Sequence, residues 1–133
     1  MNIFPAKKQK DGRSHNLGQR GEEAAAHFLE ARGYKILERN FRCRAGEVDI
    51  IAEDKGELVF VEVKARSSRQ YGNPAEAVTP RKQAQVSKAA LCYLGDKHPN
   101  RAARFDVVAV QFYGDRVTAV EIIRDAFELA YGR

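Results

Sequence analysis

The sequence predicts an α/β domain in which two helices pack against a mixed central sheet, in the order α-β-β-β-α-β-β. Two segments carry apolar residues at helical spacing, and five segments show the alternation or short apolar runs that are typical of strands. Strands and helices do not alternate regularly, so a βαβ repeat is not expected. A length of 133 residues fits one domain, and 44% hydrophobic residues suffice for one core.

The first helix is predicted to run to about Arg32, and either Ser14 or Asn16 can cap its start. Its apolar side contains Ala24, Ala25, Phe28, Leu29 and Ala31. Gly33 follows at the position where a left-handed C-terminal cap is expected. Gly18 and Gly21, at the start of this helix, are interpreted as points of close packing rather than as a phosphate-binding loop.

The second helix is predicted to begin at Thr79-Pro80, with threonine as the cap and proline in the first turn, and to end at about Leu94. Arg81 and Lys82 also stand in its first turn, where cations oppose the helix dipole. That unfavourable placement suggests an anion nearby.

Charge and cysteine content narrow the classes of function. The chain has 23 Lys and Arg against 18 Asp and Glu, and this net charge of +5 indicates either a polyanionic partner such as nucleic acid or a solvated basic surface without a ligand. No run of 18 apolar residues occurs, so no membrane contact is predicted. Cys43 and Cys92 lie far apart without paired spacing, which argues against a disulfide scaffold or zinc site. A flexible basic tail over residues 1–13, a domain over 14–133 and a cytoplasmic location are expected.

The five strands are predicted over residues 34–41, 46–53, 57–66, 104–112 and 116–123. The second and third form a hairpin around a turn at Lys55-Gly56. One face of this hairpin pairs apolar residues, Ala52 with Val59, Ile50 with Val61 and Val48 with Val63. The other face pairs Ile51 with Phe60, Asp49 with Glu62 and Glu47 with Lys64. A slip of one residue would mix the two faces, so the pattern supports this register.

Asp49 and Glu62 are thus predicted to face each other across two strands, where Cβ atoms lie about 4.5–5.5 Å apart. At about 4 Å and an effective dielectric near 20, their repulsion is on the order of 4 kcal/mol. Mg²⁺ or Mn²⁺ would offset it, because magnesium prefers one or two carboxylates and fills its shell with water and phosphate oxygens. Such an ion can promote phosphodiester hydrolysis, with Lys64 stabilising charge on phosphorus. The alternative is an ordinary strand surface on which Glu47, Glu62 and Lys64 compensate one another.

The run Gly-Glu-Val-Asp-Ile-Ile over 46–51, followed by Val-Phe-Val-Glu-Val-Lys-Ala-Arg over 59–66, resembles the PD-(D/E)xK nuclease signature. Across roughly residues 16–123 the chain is similar to the YraN family, bacterial proteins related to Holliday-junction resolvases. Other residues that carry the resemblance are Gly18, Gly21, Glu22, Gly33, Tyr34, Asn40, Gly72, Pro74, Lys82 and the run 104–108. Ala65 departs from the family, which often has threonine there.

The resemblance implies a restriction-endonuclease-like fold and a metal-dependent nuclease. It implies that Asp49 and Glu62 are metal ligands and that Lys64 is the catalytic lysine. Glu22 matches the family's acidic position on the first helix and would complete the catalytic set, with the adjacent Glu23 as an alternative. The implied cofactor is Mg²⁺ or Mn²⁺. The implied partners are nucleic acid, with DNA favoured, and a second copy of the chain in a homodimer.

Basic residues near the predicted site are candidate nucleic-acid contacts: Arg66, Arg69, Arg81 and Lys82, with Lys88 further along the helix. Asp106, in an apolar strand, is expected either to orient Lys82 or to bind backbone.

The preferred hypothesis is a nuclease acting on branched or otherwise structured DNA. A second hypothesis is a nucleic-acid-binding module of the same fold with weak or partner-dependent cleavage. A third is an assembly protein that pairs through an edge strand over residues 117–123.

Overall fold

Two helices and five strands form in the predicted order within residues 16–67, 78–95 and 102–128, which the structure, a computed structural model, describes. The elements are α1 (Leu17–Ala31), β1 (Lys35–Cys43), β2 (Gly46–Asp54), β3 (Glu57–Arg66), α2 (Pro80–Leu94), β4 (Ala103–Tyr113) and β5 (Arg116–Phe127). The predicted tail and Arg69 lie outside the described residues. Neither helix in the described part of the chain is long and apolar enough to cross a membrane.

Cap residues define where both helices begin. The side chain of Asn16 accepts a hydrogen bond from the Gln19 N–H, and the Gln19 side chain accepts one from the Asn16 N–H, forming a capping box. Asn16 is therefore the cap of α1, while Ser14 lies outside the described residues. Thr79 caps α2 by accepting from the Lys82 N–H at 3.2 Å, with Pro80 as the first helical residue.

The five strands form one sheet in the order β1-β2-β3-β4-β5, in which β3 and β4 are parallel and the other neighbours are antiparallel. This confirms the predicted mixed sheet and the element order α-β-β-β-α-β-β. Alternate residues of a strand point to opposite sides of the sheet. Alternate residues of β3 pack in the clusters of α1 and of α2, so the two helices lie on opposite faces of the sheet. Val59 and Val61 belong to the apolar cluster that includes α1. Leu58 and Phe60 belong to the cluster that includes α2.

The central hairpin follows the predicted register only at its turn end. The pairs from Asp54 with Glu57 to Ile50 with Val61 are confirmed. Beyond them the prediction that Val48 shares a face with Ile50 is wrong, because Ile50 packs in the α1 cluster and Val48 in the α2 cluster.

Residues two apart on a regular strand share a face, so β2 changes face at Asp49. The neighbouring strand is irregular at the same level, where Asn40 has a φ of 56°. The paired register of β2 and β3 stops just before this point, at Ile50 with Val61. The hairpin therefore opens at Asp49, the position at which the sequence placed its acidic pair.

Close contacts between backbones fix the helices relative to this opening. A Cβ atom on Gly21 of α1 would lie 2.7 Å from the Ala65 Cβ on β3, which confirms the close-packing interpretation. A Cβ atom on Gly46 of β2 would lie 2.0 Å from the backbone oxygen of Gln85 on α2. Glycine at both positions lets one helix approach each side of the open end of the hairpin.

Polar side chains gather at the turn end of the hairpin, in a group that we call the arginine cluster: Tyr34, Asp54, Glu57, Arg104 and Asp106. Arg104 is buried and donates to Asp54 at 2.8 Å, to Glu57 at 2.9 Å and to Asp106 at 3.0 Å. Its Nη2 also donates to the Tyr34 hydroxyl at 2.8 Å.

Asp106 accepts hydrogen bonds from Arg104, from the Tyr34 hydroxyl and from the Asp125 backbone N–H at 2.9 Å. The prediction that Asp106 orients Lys82 is therefore wrong, and the alternative that it binds backbone is confirmed.

The two cysteines are free, and the fold brings them together. The Cys43 thiol at the end of β1 is in hydrogen-bond contact with the Cys92 thiol on α2.

Candidate functional site

Two carboxylates meet where β2 and β3 separate. The Asp49 Oδ2 accepts a hydrogen bond of 2.8 Å from the Val63 N–H, so its side chain takes the place of a backbone partner at the end of the ladder. The Asp49 carboxyl also lies beside that of Glu62. The structure thus brings the two predicted metal ligands together, through an opening of the strands rather than through continued pairing.

Glu62 is buried, with 4% of its surface exposed, and only part of its carboxylate is satisfied. Its Oε2 lies 3.2 Å from the Lys82 Nζ. Its Oε1 is the one buried side-chain polar atom of the described residues without a hydrogen-bond partner. Burial, and then the charge of Asp49, raises the pKa of Glu62 to about 8. Burial also raises the pKa of Asp49, against the effect of the Val63 N–H.

Glu22 on α1 lies close enough to Asp49 to be affected by its charge, whereas its neighbour Glu23 is exposed to solvent. Burial, and then the charge of Asp49, raises the pKa of Glu22 to about 7, although a hydrogen bond with Asn40 opposes the shift. The irregular backbone at Asn40 therefore lies beside the helix acid. Of the two candidates that the sequence left open, the structure places Glu22 at the carboxylate pair.

Lys82 enters the site from α2. Its ammonium lies 3.2 Å from Glu62 Oε2 and 3.7 Å from Glu47 Oε2. Glu47 also pairs with Arg42 at 3.3 Å. The predicted pairing of Glu47 with Lys64 across the hairpin is therefore wrong.

Lys64 lies two residues after Glu62 on β3, and its charge lowers the pKa of that glutamate. We call Glu22, Asp49, Glu62, Lys64 and Lys82 the acidic site.

Sequence reasoning placed Lys82 among outer phosphate contacts and missed its contact with Glu62. The signal that was present is its position in the first turn of α2, where a cation opposes the helix dipole. Glu62 and Glu47 supply the anions that this position suggested. Their proximity depends on how α2 packs against the sheet, which local spacing does not fix.

The remaining basic candidates lie further out. Arg81 is exposed in the first turn of α2. Arg66, the last residue of β3, is partly buried and is engaged in an interaction. Across residues 16–67, 78–95 and 102–128, no three His, Cys, Asp or Glu side chains are close enough to hold a metal ion by themselves. A cation at the acidic site would thus take two carboxylates from the protein and its other ligands from elsewhere.

Comparison with known proteins gives the family. The model of "Uncharacterised protein family UPF0102" matches residues 21–110. A UPF0102 protein of Pelobacter propionicus is 54% identical over 121 residues, covering 89% of this chain and 86% of the relative. One of Geobacter sulfurreducens is 53% identical over 124 residues, covering 91% and 97%. A crystal structure of an XisH family protein from Nostoc punctiforme has a TM-score of 0.38 and 14% identity, covering 76% of this chain and 98% of that one. The chain belongs to family UPF0102, the YraN family that its motifs resemble.

Proposed function

We propose that this protein is a metal-dependent nuclease that hydrolyses phosphodiester bonds in nucleic acid, with branched or structured DNA favoured. The observation that carries the proposal is the contact between Asp49 and Glu62, in which a buried carboxylate oxygen has no donor among the described residues.

The residues present fit a divalent cation of the magnesium type. An unsatisfied buried acceptor costs about 1–3 kcal/mol, and a second carboxylate beside it adds repulsion. A cation between Asp49 and Glu62 would relieve both costs. Magnesium prefers one or two protein carboxylates and completes its octahedron with water and substrate phosphate oxygens, which agrees with a two-carboxylate site. Mn²⁺ takes similar oxygen ligands.

Each residue of the acidic site would have a separate role in hydrolysis. The bound ion would polarise the phosphodiester and lower the pKa of a coordinated water. The Val63 N–H holds Asp49 in position, and the Lys82 ammonium holds Glu62. Lys64 lies on the same strand face as Glu62, where its charge can stabilise negative charge developing on phosphorus. Glu22, with its pKa raised to about 7, can accept or return a proton near neutral pH.

The charge balance supports a nucleic-acid substrate. The net charge of +5 favours attraction to phosphate. Arg81 and Arg66 lie on the two elements that supply Lys82 and Lys64, so phosphates bound by these arginines would lie near the acidic site.

The test is Mg²⁺-dependent cleavage of four-way junctions, flaps and plain duplexes by wild type and two variants, Glu62→Gln and Lys64→Met. We expect each variant to lose at least about 100-fold in rate, as removal of one transition-state contact does in other enzymes. Glu23→Gln, an exposed neighbour of Glu22, should retain wild-type activity. Cleavage by both variants at the wild-type rate would show that the activity does not come from this site.

A nucleic-acid-binding module with weak or partner-dependent cleavage is the second candidate. It is favoured by the ion pair between Lys82 and Glu62, which already neutralises part of the acidic site. It predicts salt-sensitive DNA binding that weakens when the charges of Arg81 and Lys82 are removed. Glu62→Gln would leave that binding intact or tighten it, and the isolated protein would cleave the tested DNA structures with Mg²⁺ weakly or not at all.

A further inference from the structure

We propose that Lys82 is an exchangeable counter-ion of the acidic site. It pairs with Glu62 while no divalent cation is bound, and it gives up that contact to the cation and takes a substrate phosphate oxygen instead. This inference rests on the proposed function, because it assigns a role in cation and phosphate binding at the same site.

Lys82 contacts two glutamate side chains at the acidic site or beside it. Its Nζ lies 3.2 Å from Glu62 Oε2, within hydrogen-bond distance, and 3.7 Å from the more exposed Glu47 Oε2. Glu62 is almost fully buried, whereas the Lys82 side chain is 29% exposed. The ammonium can therefore move toward solvent without breaking the core, and the carboxylate cannot.

The chemistry of lysine suits exchange better than permanent cross-linking. In the arginine cluster, a planar guanidinium donates to Asp54, Glu57 and Asp106 at once. Such a rigid fork holds its partners in one geometry. Lys82 instead offers a compact charge on a flexible stem. It satisfies one oxygen of Glu62 and leaves the buried Oε1 without a donor.

A cation bound to Glu62 would weaken the ion pair, because two positive charges beside one carboxylate repel each other. The released ammonium would remain at the N-terminus of the 15-residue α2, where the helix dipole favours an anion. A substrate phosphate that coordinates the same cation would supply that anion. The unsatisfied Glu62 Oε1 is the second observation that points to a ligand here.

Mn²⁺ affinity measured by calorimetry, without nucleic acid, tests the exchange directly. Lys82→Met removes the competing charge and should bind Mn²⁺ about tenfold more tightly than wild type, which corresponds to about 1.4 kcal/mol. Arg81→Met is the matched control, because it removes the same charge from the adjacent exposed position of α2. It should change the affinity by less than about twofold. Equal or weaker Mn²⁺ binding by Lys82→Met would overturn the proposal.

Thermal unfolding gives a readout that does not depend on activity. Without cation, Lys82→Met should melt below wild type because the buried Glu62 carboxyl loses its hydrogen-bond donor. Saturating Mn²⁺ should remove this difference. A deficit that persists in saturating Mn²⁺ would mean that Lys82 is a structural ion pair and would overturn the exchange. If wild type and Lys82→Met both fail to bind millimolar Mn²⁺, the proposed metal-dependent function fails as well. Failure of the exchange alone leaves wild-type binding intact.

The phosphate contact has its own test in the salt dependence of duplex binding, measured with and without Ca²⁺ in place of the catalytic ion. Each phosphate contact contributes a slope of about 0.9 log units of affinity per log unit of salt. Adding Ca²⁺ should therefore raise the slope of wild type by about 0.9 more than the slope of Lys82→Met. The same rise in both proteins would show that Lys82 gains no phosphate on cation binding.

Discussion

Buried carboxylates are paired differently at the two ends of the β2–β3 hairpin. At the turn end, the arginine cluster surrounds Arg104 with acidic partners at 2.8 to 3.0 Å. At the open end, Asp49 and Glu62 contact each other, and Glu62 Oε1 has no donor among the described residues. The same two strands supply acids to both clusters.

This difference separates charge that holds the fold together from charge that is available to a ligand. The arginine cluster shows that this sequence can satisfy buried carboxylates completely where structure alone requires it. The open end has a lysine in contact and still leaves an acceptor unpaired. Buried groups in native proteins are nearly always paired, so an exception calls for an explanation, and a bound cation provides one.

The largest expected effect comes from breaking the arginine cluster. Arg104→Met would leave Asp54 and Asp106 buried without their main counter-charge, so we expect a loss of about 3–5 kcal/mol in the free energy of unfolding. Urea denaturation measures this loss through the transition midpoint. The control is Arg124→Met, because Arg124 contacts Asp54 at 3.3 Å but is 57% exposed, so its loss should cost less than about 1 kcal/mol. Equal losses for the two variants would contradict the structural role of the cluster.

A divalent cation should stabilise the protein through the open end alone. At a Mn²⁺ concentration 100 times its Kd, linkage predicts a gain of about 2.7 kcal/mol in the free energy of unfolding. Asp49→Asn should abolish this gain, since it removes one of the two ligands. Arg124→Met should retain it, although the protein is altered at the other cluster. Denaturation with and without Mn²⁺ measures the gain, and an equal gain in Asp49→Asn would exclude this site.

The two clusters should respond to pH with opposite sign. Glu62 has its pKa raised from 4.5 to about 8, so its contribution to stability is present below pH 4.5 and is lost as the pH rises through 8. Arg104 lowers the pKa of Asp54, whose contribution is present above pH 3.8 and is lost as the pH falls. The cation-free protein should therefore lose about 2 kcal/mol through Glu62 between pH 6 and pH 8.

Urea denaturation of cation-free protein across this pH range measures the loss. Glu62→Gln should remove the part of the loss that Glu62 causes and leave the part that Glu22 causes, while Glu23→Gln, at an exposed position, should leave the whole loss unchanged. A wild-type protein whose stability does not change between pH 6 and pH 8 would show that Glu62 ionises normally.

The sequence predicted those parts of the hairpin that depend on local pattern. The turn at Lys55-Gly56 and the pairs up to Ile50 with Val61 follow from alternation of apolar residues, and all are observed. The change of face at Asp49 was not predictable in this way. It depends on a left-handed backbone at Asn40 in the neighbouring strand and on the Asp49 carboxylate accepting from β3.

At the acidic site, too, features that depend on tertiary contacts could not be predicted from the sequence. The motif indicated Asp49, Glu62 and Lys64, and these residues do lie on adjoining strands. The contact of Lys82 with Glu62 depends on the packing of α2 across the open end of the hairpin. Nothing in the spacing of the chain determines that packing. For the same reason the arginine cluster, whose members are up to 72 residues apart, could not be assembled from the sequence.

The choice between Glu22 and Glu23, which adjacent identical side chains left open, allows the finest test of the open end. Glu22 feels the charge of Asp49, and Glu23 is exposed on the other side of the helix turn. Glu22→Gln should therefore weaken Mn²⁺ binding by about threefold, or roughly 0.6 kcal/mol, by removing a negative charge that acts through water. Glu23→Gln removes the same charge from the adjacent residue and should leave the affinity unchanged. Calorimetry on this pair separates charge inside the site from charge on the surface, and equal effects would remove Glu22 from the site.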